Sequence, residues 1–427
     1  MRILVVGSGG REHAVIRALR KNPKVSDIYA LPGNGGIAAD AVCVPVGATD
    51  IEGAVDLARE VKADFAVVTP DDPLCLGMAD ALEHIGIPVF GPSKAAAQIE
   101  GSKVFAKGLM KKYGIPTAAY EVFEDFDAAM AYAEKAPLPL VVKADGLALG
   151  KGVTVAMTRD EARDAVRAAM QERVFGESGA RLVIEEYLEG PEVSVLSFTD
   201  GRTLVPMLSS MDHKRAYDGD TGPNTGGMGT ICPNPYYTET VARECMERIF
   251  LPTVRAMNAE GRTFRGCLYF GLMLTKDGPK VIEYNCRFGD PETQVVLPLL
   301  ETDLLDIMEA VAAGRLSELD IKWSDKSACC VILASGGYPK GYKKGLPISG
   351  LDEGGQLPDG PAEVFHAGTR AEDGRYYTNG GRVLGVTATG DTLAEAVERA
   401  YAAADEISFE GLHRRADIGA RALAAGR

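Results

Sequence analysis

Positive charge is scarce in this sequence: 46 lysines and arginines face 60 acidic residues, for a formal charge of −14. That balance excludes a broad footprint on a phosphate backbone, so no nucleic-acid partner is expected and anionic small ligands must be met by local basic groups. Paired cysteines are missing too. The eight cysteines, at 43, 75, 232, 245, 267, 286, 329 and 330, show no C-x-x-C spacing, which argues against a zinc site or a disulfide framework and for a reducing cytosol. No apolar stretch approaches the ~20 residues needed to span a bilayer. The opening MRILVVG has the short apolar run of a buried strand and not that of a secretory segment. A cytoplasmic protein without a membrane partner is the expectation. Low-complexity segments and fixed-period repeats are absent. What remains, 46% hydrophobic, 25% charged and 7% aromatic, is the composition of a globular enzyme.

At 427 residues the chain exceeds one ordinary core, and roughly 150 residues per domain predicts about three. Over residues 1–101 short apolar runs, Ile3 to Val6, Ile28 to Leu31, Val42 to Val46, Phe65 to Val68 and Val89 to Phe90, alternate with helical patterns such as Ile51 to Lys62. This is the rhythm of a doubly wound parallel α/β domain. Residues 102–325 form an α+β unit that opens on the helix of SKVFAKGLMKKYG, ended by Gly114 and Pro116. A smaller part, about 118–190, holds the strand Pro139 to Lys143, the loop DGLALGKGV, a helix from Asp160 to Gln171 and the strand Arg181 to Leu188. Strands Val193 to Ser197 and Gly266 to Leu274 and a long helix around Tyr237 to Asn258 complete the unit. Residues 326–427 read as a third, α+β unit, with the strand Ala328 to Leu333 and a closing hairpin and helix from Arg382 to Ile407.

Five stretches carry chemistry. GSGGREH is a strand-to-helix glycine turn suited to a phosphate, but Glu12 stands where a dinucleotide fingerprint has its third glycine. Lys143 ends an apolar strand, which packs its stem and aims its ammonium into a cleft. Gly146, Gly150, Lys151 and Gly152 then follow, able to wrap phosphates with backbone N–H groups although the loop lacks the Walker order. Lys103 adds a second cation at a helix start. In VIEEYLEGPEVS, Glu185 and Glu192 are placed to meet an adenine edge and ribose hydroxyls, or are simply solvated. The loop DHKRAYDGDTGPNTGGMG is too polar and glycine-rich to be core, and ordered loops of that length are more often functional than idle. Finally, alternation over Val281 to Asn285 puts Glu283 and Asn285 on one face, a hard-oxygen pair for a cation beside a polyphosphate, with Arg287 two residues on. A structural salt-bridge network is the rival reading of that run.

GSGGREHA, SKVFAK, VVKADGLALGKGV, VIEEYLEGPEVS, DHKR, GPNTGGMG, EYNCRFGDPETQ, GYP and RADIG span nearly the whole chain. In this order they resemble the ATP-grasp ligases and, within them, the phosphoribosylamine–glycine ligase family. The resemblance implies an N-terminal doubly wound α/β domain, a central ATP-grasp α+β domain with a small lid, and a C-terminal α+β domain. It implies ATP-dependent joining of glycine to 5-phosphoribosylamine through glycyl phosphate, the second step of purine biosynthesis, by a monomer. Lys103 and Lys143 would hold ATP phosphates under the loop Gly146, Gly150, Lys151 and Gly152. Glu185, Glu186 and the backbone at Tyr187 and Leu188 would meet the adenine, and Glu192 the ribose. Glu283 and Asn285 would bind Mg²⁺ or Mn²⁺. Asp212, Lys214, Arg287 and Asp290, with Gly289 beside them, would grip the substrates at the reacting centre, and Gly9, Gly10, Arg11 and Glu12 the phosphoribosylamine end. The chain departs from the family pattern at Thr69 and Asp71 (usually Gly and Glu), Leu149, Pro191 and Cys286. Another ATP-grasp carboxylate–amine ligase is the nearest alternative, opposed by DHKR with GPNTGGMG. A nucleotide-binding protein without turnover would be free to lose basic and metal-binding positions that are all present.

Overall fold

The computed structural model describes residues 1–147 and 152–425. Ile3, Leu4, Val5 and Val6 are wholly buried because their strand, Arg2–Gly7, lies at the centre of a five-stranded parallel sheet, where both faces of a strand are covered. Asp27–Pro32 and then Val42–Cys43 flank it on one side, Phe65–Val68 and Val89–Phe90 on the other. The outer strand stops at Cys43 and does not reach Val46 as expected. Pro45, with no N–H to give the ladder, explains the early end.

Two antiparallel four-stranded sheets form the middle of the chain. One, ordered Tyr120–Phe123, Leu182–Glu186, Leu140–Ala144, Val153–Ala156, carries the helices Phe126–Lys135 and Arg159–Val166. It closes a small core of its own around Ala133, Leu140, Val142, Val166 and Ile184. The other is ordered Leu204–Pro206, Glu192–Thr199, Gly266–Thr275, Gly278–Asn285. Its Val193, Val195, Leu268, Phe270 and Leu272 share a hydrophobic cluster with Leu4, Val6 and Val68 of the N-terminal sheet. The base is thus fused to the first domain by packing, while the smaller sheet packs on itself, the arrangement of a lid.

Both long helices differ from a plain α-helix. Thr158 caps the first in a capping box with Glu161, and after Val166 it widens into a π turn, Arg167–Gln171. The second runs Glu239–Cys245, then a π turn Met246–Phe250, then Leu251–Ala259. Pro252 cannot donate to the carbonyl one turn back, and the widened turn directly before it absorbs that loss.

The C-terminal sheet is ordered Met211–Asp212, Gly229–Cys232, Ser327–Ala334, Arg382–Gly390, Glu363–His366, with helix Leu393–Asp405 packed on it. Two of its strands precede residue 325 and frame the DHKR loop, so that loop is held between the base and the C-terminal sheet. Arg382–Gly390 forms no hairpin before the last helix as expected. Val383, Leu384, Val386 and Ala388 are buried, and the strand lies inside the sheet between Ser327–Ala334 and Glu363–His366. Among the described residues no helix is long and apolar enough to cross a membrane.

The chain passes from lid to base at Gly190, whose φ is +152° and where an added Cβ would lie 2.1 Å from the Leu274 carbonyl oxygen. Gly190→Ala is expected to destabilise the protein by about 1–3 kcal/mol, read as a lower thermal midpoint; an unchanged midpoint would contradict this account of the crossing.

Candidate functional site

A cavity of about 910 Å³ opens between lid, base and C-terminal sheet. On the lid, Leu182–Glu186 and Leu140–Ala144 run antiparallel with Val141 opposite Glu185. Lys143, two residues on, therefore shares the face of Glu185 as its diagonal neighbour. The Lys143 ammonium lies 3.0 Å from Glu185 Oε2 and donates to the Ile282 carbonyl at 3.0 Å. From the helix Lys103–Tyr113, Lys103, Ala106, Lys107 and Met110 all line the cavity, the one-face spacing of a helix. Lys103 donates to the Gly146 carbonyl at 2.8 Å. Lys107, absent from the sequence expectations, is 2% exposed and sits 3.1 Å from the same Glu185 oxygen. Glu185 Oε1 is buried without a partner among the described residues. The Glu186 carboxylate, on the other side of its strand, is engaged by the Ala119 N–H and by Lys280, which leaves its backbone as the contact with the pocket. Gly146 and Gly152 border the cavity, whereas Gly150 and Lys151 lie outside the described residues.

Glu283 is the electrostatic centre. Its carboxyl is pushed down to about 2, first by Lys214 and, against the cost of burial, by Lys143, Lys103 and Arg287. Lys214 lies 3.4 Å from Glu283 and 3.5 Å from Glu192, the latter at the start of Glu192–Thr199. Burial opposes the charge on Lys214, but Glu192 and Glu283 raise it well above the ordinary lysine range. Asn285 shares the cavity with Glu283, and its Nδ2 donates to Glu100 at 3.0 Å, so its amide oxygen points away from that carboxylate. Carboxylate and amide oxygens are hard donors, the set that Mg²⁺ or Mn²⁺ takes.

Arg287 lies 2.9 Å from the buried Glu100 and 3.8 Å from Asp71, with its Nε unpartnered. Burial works against Arg287, yet Glu100 and Asp71 keep it charged. Asp290 pairs with Arg382 at 3.2 Å and accepts from Gln294 at 2.7 Å; Arg382 also donates to the Asp290 and Gly226 carbonyls. The C-terminal sheet thereby reaches the site through a residue with no sequence signal. Asp212 is pushed well above the usual carboxylate range by burial and then by Glu292, which makes its carboxylate a stronger base than an ordinary aspartate. Glu292 itself accepts from Tyr269 at 2.9 Å.

Four expected site residues do not line the cavity: Gly9, Gly10, Glu12 and Gly289. Glu12 folds back to accept from the Gly9 N–H at 2.5 Å and from Thr69 at 2.6 Å, and Arg11 donates to it. The turn that looked ready for a phosphate is filled by the protein's own carboxylate; a Cβ at Gly7, φ +130°, would stand 2.5 Å from Glu12 Cγ. Gly10 and Gly289 make room for the Gln294 and Glu292 side chains. Of the Gly9–Glu12 run only Arg11 reaches the cavity, donating to the Phe288 carbonyl at 3.1 Å.

Family models for phosphoribosylglycinamide synthetase match residues 1–100 (N domain), 101–293 (ATP-grasp domain) and 328–421 (C domain). A phosphoribosylamine–glycine ligase of Caldanaerobacter subterraneus is 48% identical over 420 residues, covering 98% of this chain and 100% of its own. One of Vibrio parahaemolyticus is 48% identical over 427 residues, covering 99% of each. The crystal structure of the Thermotoga maritima phosphoribosylamine–glycine ligase is 35% identical with a TM-score of 0.85, covering 98% of this chain and 100% of that one. The biotin carboxylase domain of the Hydrogenobacter thermophilus 2-oxoglutarate carboxylase, solved with MgADP and bicarbonate, shares the fold at 19% identity and a TM-score of 0.73, covering 96% of this chain and 91% of that one.

Because Glu283 titrates low in the folded state, its stabilisation is full above the ordinary glutamate value of 4.5 and is lost as the pH falls toward about 2. Lys214→Met should therefore lower the thermal midpoint at neutral pH, with the difference from the parent shrinking as the pH drops through that window. A difference that does not change with pH would contradict the pairing.

Proposed function

The chain belongs to the phosphoribosylglycinamide synthetase family, and from that premise we propose how its residues divide the work of the family's reaction. The reaction itself is the ATP-dependent ligation of glycine to 5-phosphoribosylamine, giving glycinamide ribonucleotide in purine biosynthesis. The observation that carries our assignment is the ring of cations about Glu283, with the nucleotide wall of Lys103, Lys143 and Glu185 on one side and Arg287, Asp290 and Asp212 on the other.

ATP lies under the lid, its base against Glu185 and the backbone of Glu186 to Leu188, its ribose at Glu192 and its phosphates at Lys103, Lys143 and the loop from Gly146 to Gly152. Glu283 and Asn285 hold a divalent cation, Mg²⁺ or Mn²⁺, which when bound neutralises charge on the phosphoryl group. A biotin carboxylase domain of the same fold was solved with MgADP, which supports a divalent cation accompanying the nucleotide.

A glycine carboxylate oxygen, held near Arg287, attacks the γ-phosphorus, and the bond to the β–γ bridging oxygen breaks to give ADP and glycyl phosphate. The amine of phosphoribosylamine, bound toward Arg11 and Asp290, then attacks the glycyl carbonyl carbon. Phosphate leaves, and the nitrogen gives up a proton, which we assign to the Asp212 carboxylate, made more basic than usual by burial and Glu292. Lys214 holds Glu283 and Glu192 in place and neutralises the incoming anions. No side-chain nucleophile enters, so positioning and electrostatics carry the catalysis. We place the enzyme in the cytoplasm as a monomer; eight free thiols support a reducing compartment.

Purified enzyme should release ADP only when glycine and phosphoribosylamine are both present, and Glu283→Ala should lower kcat by about a hundredfold or more with its circular dichroism unchanged. ADP release on another carboxylate in place of glycine, or full turnover by the variant, would sink the substrate or the metal assignment respectively.

A further inference from the structure

We propose that Lys107 is a positioning residue for the purine base: its ammonium pins one oxygen of Glu185 so that the other is kept for the exocyclic amine of adenine. The inference rests on the reading that places the base at Glu185.

A lysine 2% exposed needs partners. Lys107 donates to Thr117 Oγ1 at 2.7 Å and pairs with Glu185 Oε2 at 3.1 Å, over the Tyr120 ring at 5.5 Å. Thr117 spends its own proton on the Val281 carbonyl at 2.7 Å, so its oxygen is fixed as an acceptor and Lys107 as the donor. Lys143 takes the same Oε2 from the other side at 3.0 Å. Two cations therefore crowd one oxygen of Glu185, and the second oxygen, Oε1, is buried in the cavity wall with no partner among the described residues.

A buried acceptor left bare is costly unless a ligand supplies the donor. Ile99, Met110, Val141, Val155 and Met273 line the same cavity and give it apolar surface fit for a flat ring. The 6-amino group of adenine offers the missing N–H; the 6-oxo group of a hypoxanthine or guanine base offers a second acceptor and is repelled. Without Lys107 the Glu185 carboxylate is free to rotate about its terminal bond, and both oxygens turn toward Lys143.

Glu185 on one strand, Lys143 on the next and the Tyr120 ring face Lys107, while Glu186 acts on it from the far side of its strand. Burial foremost, with Lys143, lowers Lys107 to about 8 against the pull of both glutamates, so the pin weakens in mild alkali.

The test compares kcat/KM for ATP and for ITP in the full-length enzyme. Lys107→Met is expected to raise KM for ATP about tenfold and to lower the ATP-to-ITP ratio about tenfold, with KM for glycine within about twofold. Lys107→Gln, which keeps an uncharged donor, should fall between it and the parent, and decides the matter if the methionine variant does not fold. In the parent, KM for ATP should rise above about pH 8, and that rise should vanish in the variants. An unchanged ratio in the Lys107 variants, with the ratio lowered in Glu185→Gln, overturns the role of Lys107 alone. An unchanged ratio in Glu185→Gln overturns the placement of the base.

Discussion

Four cations face one carboxylate: Lys214, Lys143, Lys103 and Arg287 all act on Glu283, and the rest of the site is organised to hold these charges out of bulk water. Like charges of this density in a cleft need counter-ions. Glu185 serves Lys143 and Lys107, Glu192 serves Lys214, and Glu100 and Asp71 serve Arg287. Local positive charge in a chain of net −14 is what an enzyme handling a triphosphate and a carboxylate requires, since the anions must be drawn to one place and not to the surface at large.

The packing fits that requirement. Base and N-terminal sheet share one core, so Glu283 and Arg287 stand on the rigid part of the molecule. Lys143 and Glu185 stand on the lid, which has a separate small core. The pairing of Lys143 with the Ile282 carbonyl joins the two parts inside the cavity. Arg382 brings the C-terminal sheet to the same point through Asp290. Three units each contribute charge, and the site is complete only where they meet.

Sequence periodicity disclosed the elements whose burial is continuous or alternating: the parallel strands, the strand ending in Lys143, and the Glu283–Asn285 pair. Lys107 was legible in principle, four residues after Lys103 on one helical face, but a lysine there is equally the pattern of a solvated stripe. Glu100 and Arg382 had no local signal, because what gives each a role is a partner far along the chain: Arg287 for Glu100, Asp290 for Arg382. The Gly9–Glu12 turn misled for a related reason. Backbone shape is written in glycines, but the return of the Glu12 side chain into that turn is not. Nor could spacing reveal that Met211–Asp212 and Gly229–Cys232 pair into the C-terminal sheet, since strand register across about a hundred residues is a tertiary choice.

The central claim is that this cavity transfers the γ-phosphoryl group to the glycine carboxylate. Turnover with glycine carrying ¹⁸O in both carboxylate oxygens tests it most directly. One labelled oxygen should appear in the released phosphate and the other in the amide carbonyl of the product. Label retained entirely outside the phosphate would contradict the account.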